Sequence, residues 1–286
     1  RKFKDMSTKS TVTTKWLYDN LEKDRIKIID ATWYMPNDKR TGIGAFQKKG
    51  HIPGAIFFDI DKIAKSNTPL PHMLPSKNKF RTLMAALGIS HRDKIVIYDR
   101  DEILSAPRVW WTFRCFGKED AVILEGGFNR WLKEKKPIEY FEREYPKQSF
   151  SIRENHKLVS NFREVKMNLN NSKIQILDAR SKERFWGKIK EPRKDLKSGH
   201  IPNSTNIPYS NLINDKKRTM KNKETVRRIF KQSDIKFSKK IITSCGSGIT
   251  ACVLAFALYT VGKKDVAVYD GSWAEWGSKK NAPIAK

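Results

Sequence analysis

A cysteine at the start of a glycine-rich stretch is the most reactive feature of this sequence. Cys245 opens the run CGSGITAC, between the β-branched stretch 240–243 and the apolar run VLAFALYTV. This pattern predicts a strand, a tight loop and a helix, in that order. Glycines let successive backbone N–H groups turn inward as an anion-binding nest, and the helix N-terminus adds partial positive charge. Such surroundings favour the thiolate, which is the nucleophilic form of cysteine.

Two thiolate chemistries fit a loop of this kind. Cysteine phosphatases close the loop with an arginine six positions after the cysteine, but that position here is Ala251. A phosphate group would therefore lack its bidentate clamp. In the other chemistry the thiolate takes up a sulfane sulfur atom as a persulfide and passes it to a second thiol. The sequence favours this sulfur transfer.

Length, cysteine content and charge restrict the class of protein. A chain of 286 residues suits two domains of ordinary size, and its 3 cysteines do not suggest a disulfide framework. A reducing, cytoplasmic location is therefore expected. No apolar run is long enough to predict a membrane span. The net charge of +27 arises from lysines spread along the whole chain, without an arginine-rich tract or zinc-finger spacing. It predicts attraction of small anions rather than a nucleic-acid partner.

The chain contains the same pattern twice. Four pairs of segments recur in the same order at a nearly constant offset: IIDATW (28–33) and ILDARS (176–181), GHIPGAIFFDI (50–60) and GHIPNSTNIPY (199–209), KIVIYD (94–99) and KIITSC (240–245), and LEGGFNRW (124–131) and YDGSWAEW (269–276). These repeats indicate a duplicated domain. In this alignment Asp99 of the first copy occupies the place of Cys245 in the second.

Each copy alternates short β-branched runs with helical stretches. This alternation predicts an α/β fold with two tandem domains, each a mostly parallel sheet flanked by helices. We expect an N-terminal domain over residues 1–140, a charged linker over 141–156 and a C-terminal domain over 157–286. Ligands of such sheets bind beyond the carboxyl ends of the strands, and Cys245 stands at such an end.

With these motifs the chain resembles the tandem-rhodanese sulfurtransferases, and among them the 3-mercaptopyruvate type. The resemblance extends from about Thr14 to Trp276 and is carried by the segments HIPGAIFFDID, HMLP, SAPRVWWTFRCFG, EPR…SGHIP, CGSGITAC and YDGSWAEW. It implies two rhodanese-like domains, of which the C-terminal copy is catalytic and the N-terminal copy has lost its cysteine. The Gly-Ser-Gly loop resembles the mercaptopyruvate type, because thiosulfate sulfurtransferases usually carry charged residues there.

The resemblance also implies roles for individual residues. Cys245 would be the nucleophile, and Arg184 and Arg193 would bind the carboxylate and carbonyl of the substrate, for which the planar guanidinium is suited. The remaining loop positions implied to contact substrate are Gly246, Gly248, Ile249 and Thr250.

A proton relay is implied as well. Asp61 and His72 match the aspartate and histidine that form, with a loop serine, a proposed Ser-His-Asp relay in some family members, and Ser247 is that serine here. In such a relay the histidine takes a proton from the serine while the aspartate fixes the histidine tautomer.

The implied reaction takes sulfur from 3-mercaptopyruvate onto Cys245, releases pyruvate, and passes the sulfur to a thiol such as thioredoxin or to cyanide. The cysteine carries the sulfur, so neither an organic cofactor nor a metal is expected. Two alternatives remain open: a thiosulfate:cyanide sulfurtransferase, and a non-catalytic module that relays sulfur to a protein partner. No nucleic-acid or membrane partner is expected.

Overall fold

Short β-branched strands alternate with helices along the chain, as the sequence pattern predicts. The computed structural model describes residues 10–100, 104–214 and 216–286. Described residues within 1–64, 75–155 and 215–219 form one unit, and residues 65–74, 156–214 and 220–286 form a second. Residues 141–155, which we expected to form most of a linker, belong to the first unit. The division into residues 1–140, 141–156 and 157–286 stays a prediction.

The earlier part of the chain contains, in order, β1 (Thr11–Val12), α1 (Thr14–Tyr18), β2 (Ile26–Asp30), α2 (Gly42–Lys48), β3 (Ala55–Phe57), α3 (Ile60–Ile63), α4 (Lys77–Ala86), β4 (Lys94–Tyr98), α5 (Ala106–Cys115), β5 (Val122–Leu124) and α6 (Gly127–Lys133). The later part contains β6 (Val159–Ser160), α7 (Phe162–Met167), β7 (Ile174–Asp178), α8 (Lys182–Phe185), β8 (Ser204–Asn206), β9 (Ile213–Asn214), β10 (Thr219–Met220), α9 (Lys223–Gln232), β11 (Lys240–Ser244), α10 (Ala251–Thr260), β12 (Ala267–Tyr269) and α11 (Ser272–Trp276). Two 3-10 helices span His156–Leu158 and Tyr209–Leu212.

Each unit is built on a parallel five-stranded sheet. The strand order is β1-β5-β4-β2-β3 in the first unit and β6-β12-β11-β7-β8 in the second, so corresponding strands occupy the same places. Every described pairing within these two sheets is parallel. The predicted fold class, two tandem α/β domains, is therefore confirmed.

The strand that precedes Cys245 and the helix that follows it are both held by apolar packing. Residues 241–244 of β11 and residues 251–258 of α10 are buried. Helix α10 packs against β11 and β12, and an apolar surface on all its sides suits this interior position. No helix among the described residues combines the length and apolar character that crossing a membrane requires.

The recurring His-Ile-Pro element forms the same contact in both copies. His51 stacks on Phe46 with ring centroids 3.7 Å apart, and His200 stacks on Phe185 at 3.8 Å. In each pair the histidine Nδ1 lies 2.9–3.0 Å from the carbonyl oxygen of the same phenylalanine. Both histidines thus fasten a helix to the following loop, which is a packing role.

Asp99 fills a backbone nest at the end of β4, where the second copy has Cys245. Its Oδ2 accepts hydrogen bonds from the backbone N–H groups of Leu104, Ser105 and Ala106 at 3.0, 2.9 and 2.7 Å. Residues 101–103, in the segment that follows Asp99, lie outside the described residues. The first copy therefore retains the inward-turned N–H groups expected of an anion nest, with its own carboxylate bound to them.

We expect Asp99 to make the stability of the protein depend on pH near neutrality. Burial raises the pKa of Asp99 to about 7, although the three N–H donors oppose the rise. The folded state therefore keeps this proton to a higher pH than the unfolded chain does. The free energy of unfolding should fall as the pH rises from about 4 to about 7. Replacing Asp99 by Asn removes the titrating group but keeps an acceptor oxygen.

The measurement is urea unfolding of wild type and Asp99→Asn at several pH values in that range. Titration of Asp99 should make the free energy of unfolding of wild type fall by at most about 1.4 kcal/mol per pH unit, and the variant should lack this contribution. Asp24→Asn, at an exposed position, serves as the matched control and should keep the wild-type slope. Parallel curves for wild type and Asp99→Asn would contradict the expectation.

Candidate active site

Cys245 lies at the carboxyl end of the central strand of the second sheet. Strand β11 runs between β7 and β12, and its last residue is Ser244. The chain then forms a loop over residues 245–250, and α10 begins at Ala251 with Thr250 as its N-cap residue. Strand, loop and helix follow the predicted order.

Backbone and side-chain groups surround the Cys245 thiol. The thiol residue is only 2% exposed. The backbone N–H of Gly248 donates to Cys245 Sγ at 3.1 Å. The N–H of Cys245 itself donates to Ser272 Oγ at 3.1 Å, and Ser272 Oγ donates to the carbonyl of Tyr269 at 2.8 Å and lies 4.0 Å from the sulfur. These contacts hold the sulfur in one position and supply a hydrogen-bond donor that can stabilise negative charge on it.

The other predicted loop residues are buried around this sulfur. Ser247, Ile249 and Thr250 are all less than a tenth exposed. Gly248 has φ 85°, in the left-handed region that glycine adopts without strain. Gly246 is constrained differently: a Cβ atom there would lie 2.9 Å from Nη2 of Arg184. The two glycines thus have separate tasks, one in turning the backbone and one in admitting a guanidinium.

Arg184 therefore lies directly beside the cysteine loop. It belongs to α8, whose N-terminus is capped by the Ser181 side chain. Its side chain is 20% exposed and makes an ion pair with Glu191, with Nη2 and Oε2 2.6 Å apart. An arginine that is partly exposed and touches the loop is suited to receive an anionic group of a small molecule.

Arg193 and His72 contact each other. Nη2 of Arg193 lies 3.5 Å from Nε2 of His72, and both belong to the second unit. His72 is 5% exposed and has φ 60°. The segment that carries it is fastened by Asp270, whose Oδ2 accepts the backbone N–H of Leu74 at 2.7 Å. The structure thus brings His72 to one of the two predicted substrate-binding arginines.

Asp61 belongs to the first unit. It lies in α3, and its Oδ2 accepts a hydrogen bond from the indole N–H of Trp33 at 3.1 Å. Because His72 and Ser247 belong to the second unit, the relay of Asp61, His72 and Ser247 stays a prediction.

Ser272 is a site residue that sequence reasoning missed. It has φ 48°, a conformation that is unfavourable for a residue with a side chain. The equivalent residue of the first copy is Gly127, with φ 54°. The N–H groups that follow these residues donate to the carbonyls of Cys245 and Asp99, at 2.9 and 3.0 Å. The available signal was that the second copy has a serine where the first copy has a glycine. A serine in this backbone conformation is strained, which suggests that its hydroxyl has a function.

Two further contributors gave weaker signals. Asp270 precedes Ser272 in the recognised YDGSWAEW motif, but its contact with Leu74 depends on a segment far away in the sequence. Glu191 lies in a loop rich in charged residues and looks there like an ordinary surface glutamate. In the part of the chain that the structure describes, no group of His, Cys, Asp and Glu side chains has an arrangement that could hold a metal ion.

Comparison with known proteins gives consistent matches over almost the whole chain. The rhodanese-like domain family matches residues 13–134 and 161–279. The chain is 41% identical to thiosulfate/3-mercaptopyruvate sulfurtransferase 1, mitochondrial, of Arabidopsis thaliana, covering 97% of this chain and 78% of that protein. It is 38% identical to the thiosulfate sulfurtransferase of Rattus norvegicus, covering 94% and 92% of the two chains.

A solved structure agrees with these matches. The crystal structure of SseA from Escherichia coli, described as a 3-mercaptopyruvate sulfotransferase, superposes with a TM-score of 0.85 at 35% identity. The match covers 93% of this chain and 99% of the other.

Proposed function

Because the chain belongs to the rhodanese-like family, as one of its two-domain sulfurtransferases, we propose that it transfers sulfane sulfur from 3-mercaptopyruvate through a persulfide on Cys245. A thiol such as that of thioredoxin, or cyanide, is the acceptor. The observation that carries the proposal is the arrangement at the cysteine loop. The Cys245 sulfur receives the Gly248 N–H at 3.1 Å, and the guanidinium of Arg184 lies against Gly246.

In the first step the Cys245 thiolate attacks the sulfur atom of 3-mercaptopyruvate. A sulfur–sulfur bond forms and the carbon–sulfur bond breaks. The electron pair of the broken bond leaves with the carbon as the enolate of pyruvate, which takes up a proton and becomes pyruvate. In the proposed relay, Ser247 and His72 deliver that proton.

In the second step the acceptor thiolate attacks the outer sulfur of the persulfide. The sulfur–sulfur bond breaks, and Cys245 leaves as the thiolate, ready for another cycle. With cyanide as acceptor the product is thiocyanate. The N–H of Gly248, 3.1 Å from the cysteine sulfur, stabilises negative charge on this sulfur, which is the attacking thiolate of the first step and the leaving thiolate of the second. No organic cofactor or metal takes part.

Arg184 and Arg193 bind the substrate. A keto acid presents a carboxylate and a carbonyl oxygen, and each can accept hydrogen bonds from a guanidinium. Arg184 lies at the loop, and Arg193 lies beside His72. The two arginines would orient the substrate with its sulfur toward Cys245. Buried loop residues around the cysteine exclude water, which strengthens these charge interactions.

The experiment that tests this function compares the two sulfur donors side by side. Initial rates of sulfur transfer to a dithiol are measured with 3-mercaptopyruvate and with thiosulfate, with Cys245→Ser protein as the blank. We expect a strong preference for 3-mercaptopyruvate. A preference for thiosulfate would replace the proposed donor while keeping the chemistry. Activity with neither donor would favour a module that relays sulfur to a protein partner.

Thiosulfate:cyanide sulfurtransferase is the second candidate. The observation in its favour is the 38% identity with a rat protein named thiosulfate sulfurtransferase. Against it, the loop after Cys245 is Gly-Ser-Gly and lacks the charged side chains usual in that group.

The cytoplasm is the proposed location. All three cysteines are buried thiols, which suits a reducing compartment.

A further inference from the structure

Glu191 is a buried carboxylate that joins two arginines near the cysteine loop. Its side chain is 1% exposed. Oε1 accepts from Nη1 of Arg180 at 3.0 Å and from Nε of Arg184 at 3.2 Å, while Oε2 accepts from Nη2 of Arg184 at 2.6 Å. A carboxylate this deeply buried needs compensating charges, and these two arginines supply them.

Arg180 forms the fixed end of this network. Its side chain is buried and donates to both carboxylate oxygens of Asp178 at 2.7–3.1 Å and to the carbonyl of Gly199 at 2.8 Å. Its guanidinium also lies 4.3 Å from the ring centroid of Trp273. Burial would lower the pKa of Arg180, but Asp178 and Glu191 raise it overall. Arg180 therefore stays charged and holds Glu191 in place.

Arg184 is the more exposed end of this network. Its side chain is partly exposed, whereas those of Asp178, Arg180 and Glu191 are buried, and it reaches the loop at Gly246. An arginine side chain has many rotamers, and fixing it in one of them costs substantial conformational entropy. The hydrogen bonds to the carboxylate of Glu191 restrict Arg184 to one rotamer before any substrate binds.

The restraint also selects which edge of the guanidinium faces the cysteine loop. Glu191 accepts hydrogen bonds from Nε–H and from one N–H of Nη2 of Arg184. The edge formed by Nη1 and the second Nη2 proton is the remaining bidentate face. These two nitrogens are also the guanidinium atoms nearest the position that a Cβ of residue 246 would occupy, at 3.6 and 2.9 Å. This edge therefore faces the backbone of Gly246, with too little space between them for a methyl group.

We propose that Glu191 is a positioning residue that holds the Nη1/Nη2 edge of Arg184 against the cysteine loop, so that Arg184 is already in place when the substrate carboxylate binds. This inference rests on the proposed function, in which Arg184 anchors a keto acid. The two carboxylates and two arginines of the network sum to zero charge. Loss of Glu191 therefore leaves one positive charge in excess and Arg184 without its restraint.

The test uses Glu191→Gln and Glu191→Ala in the full chain, with steady-state kinetics on 3-mercaptopyruvate and on thiosulfate. In Glu191→Ala, KM for 3-mercaptopyruvate should rise roughly tenfold, as expected for releasing one rotamer-rich side chain. The kcat value should change less, and KM for thiosulfate should rise less. Glu191→Gln keeps one acceptor oxygen and should be intermediate. Glu183→Gln, at an exposed position in the same segment, should match wild type.

A double-mutant comparison separates positioning from general stability. If Glu191 acts through Arg184, then Glu191→Gln should have almost no further effect on KM in an Arg184→Ala background. An equal KM increase in both backgrounds would overturn the inference, as would an unchanged KM in both single variants. If Glu191→Ala does not fold, the same criteria apply to Glu191→Gln. A wild-type enzyme that does not use 3-mercaptopyruvate at all would overturn the proposed function itself, a result distinguishable by the wild-type rates alone.

Discussion

Cys245→Ser should reduce sulfur transfer by at least about a thousandfold with every donor and acceptor, because the reaction loses the atom that carries the sulfur. A serine hydroxyl keeps nearly the same volume in the buried loop, where Cys245 is only 2% exposed. It neither ionises near neutral pH nor forms a sulfur–sulfur bond. The loss should therefore appear without loss of folding. Steady-state rates with 3-mercaptopyruvate and a dithiol measure it.

Mass spectrometry gives a second readout for the same variant. Wild-type protein incubated with donor, but without acceptor, should gain the mass of one sulfur atom, and Cys245→Ser should gain nothing. Cys115→Ser is the matched control, since Cys115 is a buried thiol of the first unit, and it should behave as wild type. Sulfur uptake by Cys245→Ser, or more than about 1% residual activity, would show that another group is the sulfur carrier.

Loss of either arginine that we propose to bind the substrate should change the donor preference. In Arg184→Ala or Arg193→Ala, kcat/KM for 3-mercaptopyruvate should fall roughly 10- to 100-fold, the usual effect of removing a hydrogen bond to a charged group. Thiosulfate has neither a carboxylate nor a carbonyl, so its kcat/KM should fall less. The ratio of the two kcat/KM values is the measured quantity, because a general loss of folded protein would leave that ratio unchanged.

One lysine variant and one variant of an exposed arginine serve as controls for this experiment. Arg184→Lys should recover part of the activity, since lysine keeps the charge but lacks the planar fork. Arg227→Ala, at an exposed position of α9, should leave the ratio at its wild-type value. Equal losses on both donors in Arg184→Ala and Arg193→Ala would contradict the role of these arginines as anchors for a keto acid.

The sequence predicts those features that depend on local pattern or on comparison of the two copies. Strand, loop and helix around Cys245 follow from a β-branched run, glycines and an apolar run. The repeat aligns Asp99 with Cys245, and both residues lie at the ends of equivalent strands. His51 and His200 also occupy equivalent places in the repeat, and they stack in the same way on Phe46 and Phe185.

The features that the sequence does not predict depend on contacts between distant segments. Nothing in the local pattern around Glu191 distinguishes a buried carboxylate between two arginines from a solvated one. The anchoring of Leu74 by Asp270 joins residues 196 positions apart. The participation of residues 65–74 in the second unit depends on such contacts. Tertiary packing decides them, and periodicity carries no information about it.

Asp99 resembles, in length and charge, the persulfide proposed for Cys245. Its carboxylate oxygen stands two bonds beyond Cβ, as the outer sulfur of a cysteine persulfide does, and it carries comparable negative charge when ionised. Three backbone N–H groups bind that one oxygen in the first copy. The first copy thus holds, in a form that cannot react, a chemical isostere of the proposed intermediate. Cys245→Asp would place the same group in the cysteine loop, as a non-reactive analogue of the proposed persulfide.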